Sequence, residues 1–297
     1  IDKRAIDNVA QEIQQNVDTQ EARRVYDSPS KGVLWGWEVP AYVWTKAIAT
    51  GTFLMMAVWH YFNGVMDVSS EMAGLIITLI FMGLTGGLLV KDIDRPDRFL
   101  YVLLRPQWKS WLVRGAYIIT GFGGLVSLKL LDNYFKLGFD WLWIPGVIFA
   151  GLGAVYTAFL FNQARARDLW QTPIQSAIHM LVHAIMAGSV VMMIIAPDSS
   201  QWMINILLLG IVANMIIIAK EILIPHDTPD TKKAIHLMTK GYYSKYFWIG
   251  IVIGSLIPIV VLSVFSSMSL IAGGLALVGI YLTEFVRIRV PQMISLS

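Results

Sequence analysis

The chain contains no cysteine, which excludes several kinds of redox and structural site at once. Without thiols it has no disulfide bond, no cysteine-ligated iron–sulfur cluster and no thioether-linked c-type haem. Charge is also scarce. Asp, Glu, Lys and Arg make up 14% of its 297 residues, whereas soluble proteins have about 25%. Such a composition disfavours a disordered chain, a coiled coil and a nucleic-acid-binding protein.

Apolar residues are abundant instead, at 56% of the chain, and the mean hydropathy is +0.61. A helix needs about 20 mostly apolar residues to cross a bilayer core of roughly 30 Å. Eight segments meet this requirement: 40–62, 71–90, 113–131, 142–162, 175–196, 202–224, 246–265 and 269–288. We therefore predict an all-α integral membrane protein with eight transmembrane helices.

The polar parts of the chain divide it into three regions. Residues 1–39 precede the first span, and the helical spacing of Ile6, Val9, Ile13 and Val17 predicts a surface helix there. Residues 40–290 form the predicted membrane domain, and residues 291–297 form a short tail. Only three residues separate the last two spans, so we expect a tight helical hairpin at that point.

Lys and Arg are distributed unevenly between the two sides of the predicted bundle. An even number of spans places both termini on one side, and 20 of the 23 basic residues fall there. The positive-inside rule makes that side cytoplasmic. Fifteen of the 20 acidic residues lie on it too, so a polar surface that docks a protein partner is an alternative explanation of the asymmetry.

The first span begins with polar side chains that are costly inside a membrane. After Trp37, the residues Glu38, Tyr42 and Thr45 or Lys46 recur at helical spacing, so an acid, a phenol and an amine share one face. Such a face can bind and protonate a quinone carbonyl. The alternative is an interfacial belt, in which tryptophans lie at the headgroups and Lys46 extends outward to the surface.

Two later spans also carry ionisable residues. His179 and His183 are one helical turn apart, so they cannot be axial ligands on opposite sides of one haem, and His60 lies far away. A proton-path role for His179 competes with plain hydrogen bonding between helices. Glu284 is either a buried carboxylate that handles protons or the ion-pair partner of Arg287.

The loop between the second and third spans alternates acids and bases next to a proline. Asp92 and Asp94 stand beside Arg95 and Arg98, and Arg105 follows before another proline. The carboxylates can hold the arginines in a rigid turn, or the arginines can bind carboxylates of a partner protein.

At this loop the sequence resembles the NrfD family, whose members include the membrane subunit of polysulfide reductase and the quinol-oxidising subunits of alternative complex III. The family pattern, Asp-x-x-Arg-Pro-x-Arg-Phe, stands here at Asp92 to Phe99, followed by Arg105-Pro106 and Ser110-Trp111. Trp35 to Tyr42, Ala164 to Trp170 and Ala187-Gly188 resemble the family as well. The similarity covers nearly all of the chain after residue 33.

The resemblance implies two four-helix bundles and a quinone pocket near one membrane face, beside an iron–sulfur protein. By position, Glu38 and Tyr42 would line that pocket. In the polysulfide reductase subunit an amide and a histidine stand at these two positions, so this chain departs from that relative while keeping polar groups there.

Together these observations predict a membrane subunit of a respiratory oxidoreductase in a prokaryotic cytoplasmic membrane. It would bind menaquinone or ubiquinone, with no haem, iron–sulfur cluster or metal ion of its own. Its partners would be the bilayer, a ferredoxin-like iron–sulfur subunit and a molybdopterin or multihaem catalytic subunit, and not nucleic acid.

The predicted roles follow from residue chemistry. Glu38, Glu284 and His179 would handle protons, while Tyr42, Trp37 and Lys46 would contact the quinone. Asp92, Asp94, Arg95, Arg98 and Arg105 would form the scaffold that docks the partner. A haem-b membrane anchor, an ion-coupled transporter and a purely structural anchor are the alternatives.

Overall fold

The computed structural model describes residues 35–92, 99–164, 167–224 and 228–294. Within these ranges the chain has no β-strand, and eight of its helices are long and apolar enough to cross a membrane. In chain order the spans are Glu38–Asn63, Val68–Asp92, Trp111–Phe135, Asp140–Asn162, Pro173–Ile195, Pro197–Leu223, Ser244–Val264 and Ser269–Met293. The predicted spans are confirmed to within a few residues at each end, whereas the predicted surface helix lies outside the described residues.

Short turns connect most neighbouring spans. The predicted hairpin between the last two is confirmed, because only the 3-10 turn Ser266–Met268 separates them. The third span ends with Lys136 in the left-handed conformation (φ 54°), followed by Gly138 at φ 78°. Short connections of this kind make consecutive spans antiparallel neighbours, so the starts of the odd-numbered spans share one end of the molecule.

The spans pack as two four-helix groups. The first four contact one another, as do the last four, and the first and fifth spans form the main contact between the groups. These two central helices are accordingly the most buried of the eight. The two four-helix bundles implied by the family resemblance are therefore present.

The first and fifth spans approach until their backbones touch. A Cβ atom added to Gly51 would lie 1.8 Å from the carbonyl oxygen of Ala184, and one added to Gly188 would lie 2.0 Å from that of Gly51. Only glycine fits at such a crossing. Small residues replace hydrophobic side chains at membrane-helix contacts because lipid gives no hydrophobic drive for association.

The seventh span is interrupted in its middle. It consists of Ser244–Ile251, a π-helical turn at Val252–Leu256 and Ile257–Val264. Pro258 has no N–H to donate to the carbonyl four residues earlier, which belongs to Gly254, and a π-turn is a common way to absorb that loss. The interruption therefore has a local cause in the sequence.

We call the end where the first span begins the basic end. There the backbone N–H of Trp35 donates to Oε1 of Gln292 at 2.9 Å, and the Arg167 guanidinium donates to the carbonyls of Pro291 and Ile294. The amphipathic helix Pro229–Thr239 packs its apolar face on the same end. These contacts fix the last turn of the eighth span against the start of the first.

Candidate functional site

The two histidines of the fifth span lie inside the second bundle. Both are buried, and their ring centroids are 4.2 Å apart. Nε2 of His179 is 2.6 Å from Oδ1 of Asn214, and Nε2 of His183 is 3.0 Å from the same oxygen. Asn214 thus joins the sixth span to the fifth through both histidines.

The opposite edges of the two imidazole rings face the eighth span. The Arg287 guanidinium contacts Nδ1 of His179, and Oε1 of Glu284 lies 3.3 Å from Nδ1 of His183. Arg287 also lies 3.5 Å from Glu284 and 3.2 Å from Oε1 of Glu221. We call this group the histidine cluster, and it consists of His179, His183, Asn214, Glu221, Glu284 and Arg287.

These contacts determine where the protons of the cluster belong. A guanidinium only donates hydrogen bonds, so Nδ1 of His179 must accept and its proton must be on Nε2, where Asn214 Oδ1 accepts it. The same oxygen accepts from Nε2 of His183. The remaining contact, between Nδ1 of His183 and Glu284, joins two acceptors unless a proton lies between them. We therefore expect His183 and Glu284 to share one proton.

The cluster extends from the membrane core to its edge. At 1.5 Å per residue, His183 lies about 15 Å inside the start of its helix, whereas Glu221 lies about 3 Å from the end of the sixth span. Arg287 connects the two depths through its contacts with His179 and Glu221. The arrangement is a continuous network of hydrogen bonds and ion pairs that reaches from His183 to Glu221.

His179, His183 and Glu284 also have the residue types and spacing of a metal site, with candidate ligand atoms within 4.8 Å of one another. The positive guanidinium of Arg287 already contacts one of those nitrogens, however. A divalent cation would meet strong repulsion at that distance. The geometry therefore fits a proton-bearing network better than a metal centre.

Two cavities meet at Glu221. A small one of about 20 Å³ lies on the inner side, and its walls include Phe161, Trp170, Met180, Glu284 and Arg287. A cleft of about 180 Å³ lies on the outer side, lined by Asp168, Leu169, Thr172, Gln175, Lys220, Glu221, Ile224 and Thr231. The small cavity has room for roughly one water molecule. Glu221 consequently separates the buried cluster from a larger polar cleft.

The first span contributes two inward-pointing groups near this cluster. Tyr42 and Lys46 are almost fully buried. Nζ of Lys46 is 2.5 Å from Oγ1 of Thr157 and 4.4 Å from the ring centre of Tyr156. The alternative in which Lys46 extends outward to the headgroups is therefore wrong, because packing against the fourth span directs it into the bundle.

Glu38 and Trp37 lie closer to the surface. Glu38 pairs with Lys91 at 3.4 Å, and the Lys91 ammonium lies 4.3 Å from the ring centre of Trp37, which is half exposed. The structure thus separates the four predicted first-span residues into a surface pair and a buried pair. Trp37 matches the interfacial belt better than a buried contact.

Aromatic rings close the basic end above Tyr42. Trp35 stacks on Trp170 with ring centres 5.0 Å apart, and both rings contact Phe161 at 5.2 and 5.3 Å. Trp170 and Phe161 also line the small cavity. Trp44, by contrast, donates its indole N–H to the carbonyl of Leu277.

The loop after the second span is described only in part. Asp92 ends the helix and Arg105 is exposed, whereas Asp94, Arg95 and Arg98 lie outside the described residues. Their predicted scaffold and docking roles stay predictions.

Histidines on different helices are not brought together within the described part of the chain. His60 lies at the opposite end, stacked on Trp143 with ring centres 5.2 Å apart. His236 is exposed on the short amphipathic helix. The described residues therefore give the haem-anchor alternative no pair of axial ligands.

Glu221 is a member of the cluster that was not predicted from the sequence. It follows Asn214 by seven residues, which places both on one face of the sixth span. That spacing is visible in the sequence. Glu221 nevertheless attracts no attention there, because it stands next to Lys220 at the predicted membrane edge, where neighbouring acids and bases are common.

The fold and the site define an eight-span helical membrane protein with a buried network of histidines, carboxylates and an arginine at one end. The family model described as "Polysulphide reductase, NrfD" matches residues 27–294. The chain belongs to this family, whose members are membrane subunits of respiratory oxidoreductases and act with iron–sulfur and catalytic subunits. No curated protein matches the chain.

Proposed function

We propose that this chain is the quinone-reactive subunit of its oxidoreductase complex and that it sits in a prokaryotic cytoplasmic membrane with both termini inside. The observation that carries the proposal is the histidine cluster, in which Glu284 lies between an imidazole and a guanidinium next to an aromatic-lined cavity. Perturbed and interacting ionisable groups of this kind mark functional sites.

The residues around the small cavity have the chemistry of a quinone-headgroup site, and the cavity of about 20 Å³ must widen to admit the ring. The hydroxyl of Tyr42 and the guanidinium of Arg287 are donors for quinone oxygens, and the Trp35, Phe161 and Trp170 rings offer stacking surfaces. When bound, a quinone accepts or releases two electrons together with two protons. Because the chain has no cysteine, the electrons pass to or from a cluster in another subunit, for which we propose a ferredoxin-like partner docked at the basic end.

The chain's own residues would handle the protons. Glu284 and His183 share one proton, which they can release to the site or take up from it. The contact with Arg287 keeps the proton of His179 on Nε2, from which it is donated to Asn214. Glu221, which lines both the small cavity beside Glu284 and the outer cleft, would pass protons between the two. Lys46, buried near Glu284 but bonded to Thr157, would stabilise negative charge in the site. Glu38, which pairs with Lys91 at the surface, is a second candidate for proton release.

Replacing Glu284 with Gln tests the proposal in the intact complex. Gln fills the same volume and can donate to His183, but it cannot take up a proton. We expect quinone-linked turnover to fall by about 100-fold, the typical contribution of a general acid or base, while the subunits remain assembled. Asp140→Asn, at the opposite end, is the matched control and should leave turnover unchanged. Normal turnover with Glu284→Gln would remove this carboxylate from the reaction.

The composition of the purified complex gives an independent test. After gentle extraction we expect iron and acid-labile sulfide in a companion subunit, extractable quinone, and no b-type haem spectrum assigned to this chain. A protein that purifies alone, with neither quinone nor redox partners, would favour an ion-coupled transporter, for which the interrupted seventh span would be the broken helix.

A further inference from the structure

A groove on the lipid-facing surface leads to the histidine cluster. It has a volume of about 450 Å³ and lies between the fifth and sixth spans, with an apolar wall formed by Ile174, Ile178 and Ile217. At the basic end it shares Thr172, Gln175 and Lys220 with the polar cleft that ends at Glu221. We call the groove and the cleft together the access groove.

The two parts of the access groove differ in chemistry. Its outer part is apolar, and the Ile178 side chain in it is 52% exposed, as expected of a surface in contact with lipid tails. Its inner part offers donors on Thr172, Gln175 and Lys220 and carboxylates on Asp168 and Glu221. A ligand that fits both parts has a long apolar tail and a compact head that accepts and donates hydrogen bonds.

We propose that the access groove is where an isoprenoid quinone leaves the bilayer and is first held. Its tail lies along Ile174, Ile178 and Ile217, and its head lies in the cleft against Gln175, Lys220 and Glu221. The proposal rests on the proposed function and adds the route and the residues that select the ligand.

Volume and charge support this assignment. The cleft of about 180 Å³ is much larger than the 20 Å³ cavity beside Glu284, so a ring is accommodated more readily outside Glu221 than inside it. An anionic phospholipid headgroup would meet the carboxylates of Asp168 and Glu221, which repel it. A neutral quinone head meets no such repulsion, since its oxygens accept from Lys220 and Gln175.

The test uses the purified complex and a photoreactive naphthoquinone, prepared with and without a prenyl tail. Labelled peptides are identified by mass spectrometry, which reports binding rather than turnover. Ile178→Trp fills the apolar part, so labelling by the tailed probe should fall about tenfold, equivalent to about 1.4 kcal/mol of binding free energy. Labelling by the tailless probe should be unchanged. Ile217→Trp is a second variant with the same expectation.

Ile148→Trp is the matched control. Ile148 is 55% exposed in another lipid-facing groove, of about 420 Å³, at the opposite end of the bundle. This variant should leave both probes unaffected. Lys220→Met should weaken labelling by both probes, because it removes a contact to the head.

The outcomes separate the route from the function. Strong labelling that neither tryptophan variant reduces would overturn the access groove while leaving quinone binding intact. Absence of specific labelling in the unmodified complex would overturn the proposed function itself. A third outcome is that an anionic lipid copurifies with the unmodified complex but not with Lys220→Met, while the probes leave peptides 173–178 and 217–221 unlabelled. That outcome would assign the groove to a structural lipid and overturn the proposal.

Discussion

Charged side chains are buried at both ends of the bundle, but the two groups are built from different chemistry. At the opposite end, Nζ of Lys129 lies 2.8 Å from Asp132 and 3.6 Å from both Glu71 and Asp140. Asn133 donates to Glu71 at 2.8 Å. We call these five residues the lysine cluster. It joins the second, third and fourth spans, whereas the histidine cluster joins the fifth, sixth and eighth.

The two clusters differ in the side chains that surround their charged groups. In the lysine cluster every charged group faces an opposite charge, and Asp132 also accepts from the backbone N–H of Phe139 at 2.9 Å. That bond fastens the turn after the third span, so the cluster holds structure. The histidine cluster contains two imidazoles, each with one ring nitrogen that can donate a hydrogen bond and one that can accept it. The histidines and the adjoining cavity, rather than the ion pairs, are therefore what supports our proposal that this cluster is reactive.

The largest expected effect on stability comes from breaking the lysine cluster. Lys129→Met leaves the buried carboxylates of Glu71 and Asp132 without their cation, which should lower the free energy of unfolding by about 3 kcal/mol. The apparent midpoint of thermal unfolding in mild detergent measures this loss. Asp140→Asn should change stability by less than about 1 kcal/mol, since the Asp140 carboxylate is largely exposed.

The double variant Lys129→Met with Asp132→Asn refines this prediction. Removing one unpaired carboxylate should recover part of the lost stability, because the two sites are in contact and do not act additively. Equal midpoints for Lys129→Met and Asp140→Asn would mean that the lysine cluster does not hold the structure together.

A smaller and more specific effect concerns the proton positions in the histidine cluster. Nitrogen-15 NMR of the histidine-labelled protein should place the proton of His179 on Nε2 and find both nitrogens of His183 in hydrogen bonds. In Glu284→Gln the amide donates to Nδ1 of His183, so His183 should become the neutral Nε2–H tautomer. The exposed His236 serves as the internal control. A proton on Nδ1 of His179 would contradict the assignment made from Arg287.

The fold was predictable because span length and hydropathy are local properties. The hairpin at Ser266–Met268 and the extent of all eight spans follow from the composition of each segment alone. The grouping into two bundles was not readable from hydropathy, since it depends on contacts such as that between Gly51 and Gly188. The family resemblance supplied it instead.

The site was predictable only in its parts. His179, Glu284 and Arg287 were identified as costly polar residues within or at the ends of spans, but sequence spacing could not pair a residue of the fifth span with one of the eighth. Lys46 illustrates the limit. Two turns into a helix, a lysine can reach the surface or point inward, and the position of Thr157 on another span decides between them.

The smallest expected effect lies at the start of the second span, near the lysine cluster but outside the membrane. Asp67 accepts from the hydroxyl of Ser69 and from the backbone N–H of Ser70 at 3.2 Å, and these bonds, the first above all, hold the pKa of Asp67 below its ordinary value of about 3.9. Because the folded pKa is the lower one, the cap stabilises the protein above about pH 4, and that stabilisation is lost as the pH falls through the folded pKa.

Asp67→Ala should therefore lower the thermal midpoint slightly at neutral pH, and its difference from the unmodified protein should disappear in acid. Asn also caps helices but does not titrate, so Asp67→Asn should keep most of the midpoint and show no such pH dependence. The acid-dependent effect of Asp67→Ala distinguishes the helix cap from the lysine cluster. Lys129→Met should destabilise the protein at neutral pH whether position 67 holds Asp, Asn or Ala. A midpoint for Asp67→Asn as low as that for Asp67→Ala would mean that charge rather than capping stabilises this helix end.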